Sequence, residues 1–148
     1  ETIQVVGTII SYHTLGMFVF SPILGRFVDK VGSKKVSITG GFILLISCVC
    51  ALNTSDIVLL HLSLFLLGLG WNFNFVSISS EISKYSIEKN TNLNIKSDSF
   101  VFVGSVFAQS SLGLTYTLIG FEGLVIFGTL AAIFLLFNLV RLSSKLLT

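Results

Sequence analysis

The fold is decided by the stretch Val58–Ser80, which reads VLLHLSLFLLGLGWNFNFVSISS and contains no Asp, Glu, Lys or Arg. A helix rises about 1.5 Å per residue, so a helix of this length crosses the roughly 30 Å hydrocarbon core of a bilayer. Irregular backbone in lipid would leave polar groups unpaired at a cost of several kcal/mol each. The stretch therefore predicts a transmembrane helix.

Four further apolar stretches surround this one. Every Asp, Glu, Lys and Arg of the chain lies outside the apolar stretches, as expected if a charge at the bilayer centre costs about 2.5 to 3.5 kcal/mol. The pattern predicts an all-α membrane protein with five transmembrane helices, over residues 3–24, 36–52, 58–80, 100–119 and 124–140.

The composition agrees with a membrane protein and excludes other classes. Hydrophobic residues make up 53% of the 148 residues and charged residues only 11%, against roughly 25% charged in soluble domains. With so few charged residues, the chain could not form the water-facing surface of a soluble enzyme. Disordered chains need high charge, and nucleic-acid binding needs clustered positive charge on a water-facing surface, so we expect neither.

The cations indicate the orientation, because Lys and Arg in short connections stay in the cytoplasm. All nine fall in residues 25–35, 81–99 and 141–148, which we therefore predict to be cytoplasmic. The N-terminus should lie outside and the C-terminus inside. We expect outer turns at Asn53–Asp56 and Ile119–Gly123, and a short surface helix followed by an irregular link within residues 81–99.

The first cytoplasmic segment has a distinctive order of residues, GRFVDKVGSKK over residues 25–35. Gly25 and Gly32 would permit tight turns, and Asp29 offers a carboxylate to a neighbouring helix N-terminus or to a nearby cation. Lys30 and Lys34 follow the retention rule and can attract anionic headgroups.

This order resembles the signature loop of the major facilitator superfamily, whose pattern is Gly-x-Leu-Ala-Asp-Arg-x-Gly-Arg-Arg. Gly25, Asp29 and Gly32 match it, and Lys30 and Lys34 are conservative replacements. The chain departs from the pattern at Phe27, Val28 and Ser33. The resemblance implies a partial major facilitator fold, a small-molecule substrate and transport by alternating access between two six-helix halves.

In the family this loop lies between helices two and three and, in weaker form, between helices eight and nine. Leu64–Gly70 lacks the Arg and Gln-Gly that the first half would carry there, and no Pro follows Pro22. Residues 13–18 and 70–73 resemble helices eight and ten of some bacterial members. The resemblance thus implies helices eight to twelve of a bacterial inner-membrane transporter. The initial Glu1 suggests a piece of a longer chain, with the other half of the transporter as its partner.

Polar residues inside the spans are candidates for a substrate cavity, because each must find a partner or water. His13 is near the middle of the first span, and Gln109 is near the middle of the fourth. Asn72 and Asn74 point about 200° apart on one helix, so they cannot both face one cavity. The alternative is that each bonds a neighbouring helix, at about 0.6 kcal/mol. Gly104, Ala108, Ser111 and Thr115 form a small-residue stripe suited to close helix approach.

Other chemistry has no candidate residues in the sequence. No spacing matches a metal site or nucleotide loop, so we expect no cofactor, no metal and no enzymatic activity. The function predicted from the sequence is secondary active transport of a small organic solute across the cell membrane. The alternative is a small, non-transporting membrane protein, such as a sensor or an assembly subunit.

Overall fold

The computed structural model describes residues 3–52 and 56–145, with the side chains of residues 142–145 left aside. These residues form helices joined by short links. The helices are α1 (Ile3–Phe18), α2 (Ser21–Val31), α3 (Ser33–Ala51), α4 (Ile57–Glu88) and α5 (Leu93–Lys145). The protein is an all-α membrane protein, and four stretches are long and apolar enough to cross a bilayer: Ile3–Val31, Ser33–Ala51, Ile57–Glu88 and Leu93–Arg141.

The first predicted span is not one continuous helix. It breaks at Val19 and Phe20, and α2 then starts at Ser21 with a proline in its first turn. Pro22 has no N–H to donate to the preceding turn, and its fixed φ suits the first turn of a new helix. The predicted span over residues 3–24 lies within the apolar stretch Ile3–Val31 and contains this break, for which Pro22 is the physical reason.

Both connections that we predict to be cytoplasmic are more helical than expected. Residues 25–31 lie in α2, so Gly25 is an ordinary helical residue, and the turn is made at Gly32, where φ is 93°. The predicted surface helix after Ser80 is the continuation of α4 to Glu88, not a separate helix. A short link over residues 89–92 follows, with a positive φ of 48° at Asn90.

The last helix reverses direction at Gly120, where φ is 68° and ψ is −177°. Before this point, the amide of Asn94 lies 3.5 Å from Ser83 at the end of α4. Beyond it, Val125 clusters with Cys48 and Ala51, and Leu136 lies against Gly41. The first arm, residues 93–119, thus leads away from the Glu88 end of α4, and the second arm, residues 121–145, returns along α3.

The centre of the bundle is α4, which contacts each of the other helices. Its N-terminus is capped by Asp56, whose carboxylate accepts hydrogen bonds from the backbone N–H of Val58 and Leu59. The remainder of the predicted outer turn, residues 53–55, lies outside the described residues, as do residues 1–2 and 146–148. Most large apolar side chains face outward, as expected for helices in lipid.

Candidate functional site

Residues 25–35, which resemble the signature loop, are held against the C-terminal part of α4. Val28 of α2 and Val36 of α3 are fully buried, which anchors the segment on the bundle. The Asp29 carboxylate lies 3.9 Å from the Lys84 ammonium, and the Ser33 hydroxyl donates to the Glu81 carboxylate at 2.5 Å. The structure thus brings residues 25–35 and 81–88 to one end of the molecule.

The charges of this segment remain accessible. The side chain of Asp29 is 72% exposed and that of Lys84 is 61% exposed, so water screens the pair and it contributes little to stability. Lys30 is exposed and Lys34 is half-buried. Of the two glycines in the signature, only Gly32 has the positive φ that favours glycine, whereas a Cβ on Gly25 would meet open space.

His13 lies where α1 and α4 cross most closely. A Cβ on Gly68 would collide with the backbone oxygen of His13, and one on Gly16 would collide with the backbone of Phe65. The imidazole Nδ1 is 2.9 Å from the backbone oxygen of Leu64. Because a carbonyl can only accept, Nδ1 is the donor in this contact. The structure therefore gives His13 an interhelical hydrogen bond at the α1–α4 crossing.

Asn72 connects the two sides of the break between α1 and α2. It is 1% exposed, accepts a 3.0 Å hydrogen bond from the Ser21 hydroxyl of α2, and donates to the Gly16 carbonyl of α1 at 3.5 Å. Phe18 and Phe20 pack edge-on against Trp71 and Phe65 on either side. Asn72 is thus a buried side chain that bonds both α1 and α2 and stabilises the angle between them.

Asn74 faces the opposite side of α4 and joins it to α3. Its Oδ1 accepts a 2.7 Å hydrogen bond from Ser37, and its Nδ2 donates to the Gly70 carbonyl of its own helix at 2.9 Å. Ser47 and Ser63 make a reciprocal pair between the same helices, each hydroxyl donating to the other residue's backbone oxygen. The two asparagines thus serve two different helix interfaces.

A cleft with two compartments lies between α4 and the first arm of α5. The first compartment, of about 190 Å³, has a mainly apolar surface. The second, of about 210 Å³, is lined mostly by polar residues, although its surface is about equally polar and apolar, and we call it the polar compartment. Ser79 and Ser97 belong to both. The apolar compartment is otherwise lined by Trp71, Asn74, Phe75, Ile78 and Val101, and the polar one by Ile82, Ser83, Asn94 and Asp98.

The sequence pattern does not predict the polar compartment, because residues 81–99 read as a surface helix followed by an irregular link. A signal was present: Asn94, Ser97 and Asp98 follow the i, i+3, i+4 spacing that places side chains on one face of a helix. Among the earlier candidates, only Asn74 borders the cleft. Gln109 is exposed on the first arm, and so are the small residues Gly104 and Ala108 of the same arm.

The histidine near the start of α4 contacts its own helix and α1. His61 is half-buried, with Nδ1 2.7 Å from the Ile57 carbonyl and Nε2 3.1 Å from the Thr8 hydroxyl. Tyr12 packs edge-on against the imidazole ring at 5.5 Å. These groups line a groove of about 640 Å³ between α1 and the N-terminal part of α4.

Comparison with known proteins fits this arrangement of helices and signature residues. The model of the Major Facilitator Superfamily matches residues 2–146, and the chain belongs to that family. No solved structure matches the chain significantly.

Curated relatives match parts of the chain. The Bacillus subtilis proteins called uncharacterized MFS-type transporters YdeG and YddS are 38% and 40% identical to it over 74 residues, which is 49% of this chain and 17% of each relative. The riboflavin transporter RfnT of Brucella anthropi is 26% identical over 101 residues, or 68% of this chain and 25% of that protein. The chain thus aligns with a quarter or less of the length of each relative.

Proposed function

We propose that the chain is part of a secondary active transporter that moves a small organic solute by alternating access. The observation that carries the proposal is the family match together with the placement of the signature segment, whose Asp29 and cations lie accessible at one end of the bundle. The limited coverage of the relatives supports a longer protein that supplies the other half of the transporter.

We infer that the chain corresponds to helices eight to twelve of a bacterial inner-membrane member, with five crossings. The reversal at Gly120 supports this number, since the apolar stretch of 49 residues ending at Arg141 is too long for one crossing and divides there into two arms. The grouping of cations at the end formed by residues 25–35 and 81–88 supports a cytoplasmic position for that end.

We assign two kinds of role to the candidate residues. Gln109, exposed at mid-span, and Asn74, at the wall of the cleft, are proposed to contact substrate. His13 and Asn72 remain candidates for the substrate cavity, and their contacts in this conformation hold α1 and α2 against α4. Asp29 is proposed to leave Lys84 and dock against a helix end of the other half in one access state.

The test is uptake by the full-length protein in proteoliposomes, screened over a solute panel that includes riboflavin. Asp29→Asn should lower initial uptake about fivefold or more, matching a conformational coupling of about 1 to 3 kcal/mol, while leaving membrane abundance normal. Glu122→Gln, which removes a negative charge near the Gly120 reversal, is the control and should transport normally.

Two results would contradict the proposal. One is unchanged uptake by Asp29→Asn. The other is unchanged uptake, at normal abundance, in all of four apolar variants that replace His13, Asn72, Asn74 and Gln109 one at a time.

A further inference from the structure

We propose that the cleft between α4 and the first arm of α5 binds a small amine with an apolar group. The ammonium would lie beside Asp98 and Asn94, and the apolar group against Trp71 and Phe75. This inference deepens the proposed function by giving a substrate class, and it rests on that function only for the step from binding to transport.

The polar compartment contains one buried hydrogen-bond acceptor without a donor and one carboxylate without an ion-pair partner. Among the described residues, the buried Oδ1 of Asn94 has no hydrogen-bond partner, although its Nδ2 lies 3.5 Å from the Ser83 hydroxyl. An unsatisfied buried acceptor is costly, and an ionised carboxylate can only accept. Asp98 is exposed at the edge of the compartment and belongs to no ion pair within the described part of the chain. The compartment therefore favours a ligand that donates N–H groups and carries positive charge.

The size and the donor set argue against a bare metal ion. The polar compartment has a volume of about 210 Å³, equivalent to roughly seven waters at about 30 Å³ each. The described residues contain no cluster of three or more His, Cys, Asp or Glu. A single carboxylate with amide and hydroxyl oxygens matches one positive charge rather than two. An ammonium group with its attached carbons fits this space.

The adjoining compartment would accept the apolar part of the ligand. Trp71 and Phe75 are stacked with their ring centres 4.7 Å apart and their planes 8° apart, and they line about 190 Å³ together with Ile78 and Val101. Aromatic faces attract both apolar groups and neighbouring cations.

The distance between the compartments sets the length of the ligand. Ser79 of the polar compartment follows Phe75 by one turn of α4, and Val101 follows Asp98 by about one turn of α5. One turn is about 5.4 Å, which a two-carbon linker between an amine and an aromatic ring can bridge.

The experiment uses the only tryptophan of the chain, Trp71, as a fluorescent reporter inside the cleft. The full-length protein, with any tryptophan outside this chain replaced by phenylalanine, is reconstituted into lipid nanodiscs and titrated with 2-phenylethylamine, and with 2-phenylethanol as the uncharged analogue. We expect saturable quenching by the amine and at least tenfold weaker binding of the alcohol, because hydrogen bonds to charged groups are the stronger ones. Equal affinity for the two compounds, or no saturable change with the amine, would overturn the proposal.

Variants test the assigned residues, with far-UV circular dichroism to show that each keeps its helix content. Asp98→Asn should weaken amine binding about tenfold or more, and Asn94→Ala should weaken it to a smaller degree. Glu122→Gln makes the same charge change next to Gly120 and should bind like the native chain. Native affinity in Asp98→Asn, or an equal loss in Glu122→Gln, would overturn the site. Saturable amine binding without amine uptake by the full-length protein would keep the site and remove its link with transport.

Discussion

At the scale of single residues, three of the four polar candidates inside the spans join helices, whereas many serines and threonines bond to their own helix. His13 donates a hydrogen bond to α4, and Asn72 and Asn74 accept hydrogen bonds from Ser21 of α2 and Ser37 of α3. Lipid offers no alternative partner, so a polar group that finds one on an adjacent helix stabilises the crossing. The sequence predicts that the two asparagines point in opposite directions, but helical periodicity cannot show which neighbour lies on each side.

The crossing of α1 and α4 depends on the absence of a side chain at Gly68. We expect Gly68→Ala to destabilise the protein by about 1 to 3 kcal/mol, because the added methyl would meet the backbone of His13 and force the helices apart. The measurement is reversible unfolding in mixed micelles.

Gly113→Ala is the matched control for this prediction. A Cβ on Gly113 meets nothing within 4 Å, so the gain in helix propensity, up to about 1 kcal/mol, should remain. If both alanine variants changed stability in the same direction and by the same amount, the close approach of α1 and α4 would not be needed for stability.

At the scale of helices, the sequence predicts where the chain meets lipid better than where helices end. The second span, residues 36–52, corresponds closely to α3, whereas the third continues beyond its apolar part to Glu88. Hydropathy marks the membrane boundary, and a helix can pass that boundary without ending. Polar residues such as Lys84 and Glu88, four apart, support a helix in water as well. The polar compartment of the cleft lies on this extension, which is why it was missed.

The reversal in α5 depends on a backbone conformation at Gly120 that few residue types can adopt. At Gly120, φ of 68° with ψ of −177° is a conformation that only glycine adopts readily. Gly120→Ala should therefore destabilise the protein by about 1 to 3 kcal/mol in the same micelle assay, although no atom crowds the site. Stability equal to that of the native chain would show that α5 does not need this backbone conformation.

At the scale of the whole molecule, most of the charged residues lie at one end of the bundle. The sequence places every Lys and Arg in three segments, and the structure brings the first two together through Asp29 with Lys84 and Ser33 with Glu81. Sequence and contacts therefore agree on a single basic end. The compartment that this end faces follows from the rule that retains cations in the cytoplasm, not from the contacts between helices.

The orientation can be tested by labelling single cysteines from outside intact cells. With Cys48 and Cys50 replaced by Ser, we expect Lys34→Cys and Lys84→Cys to resist a membrane-impermeant maleimide until the membrane is permeabilised, because both positions lie at the basic end. Glu122→Cys, beside the reversal at Gly120, should react at once. Labelling of Lys34→Cys and Lys84→Cys from opposite sides would contradict both the orientation and the contact between α2 and α4, since residues in contact at one end of a bundle cannot lie in different compartments. Protection of all three positions would contradict the outer location of the Gly120 turn, and with it the division of α5 into two crossings.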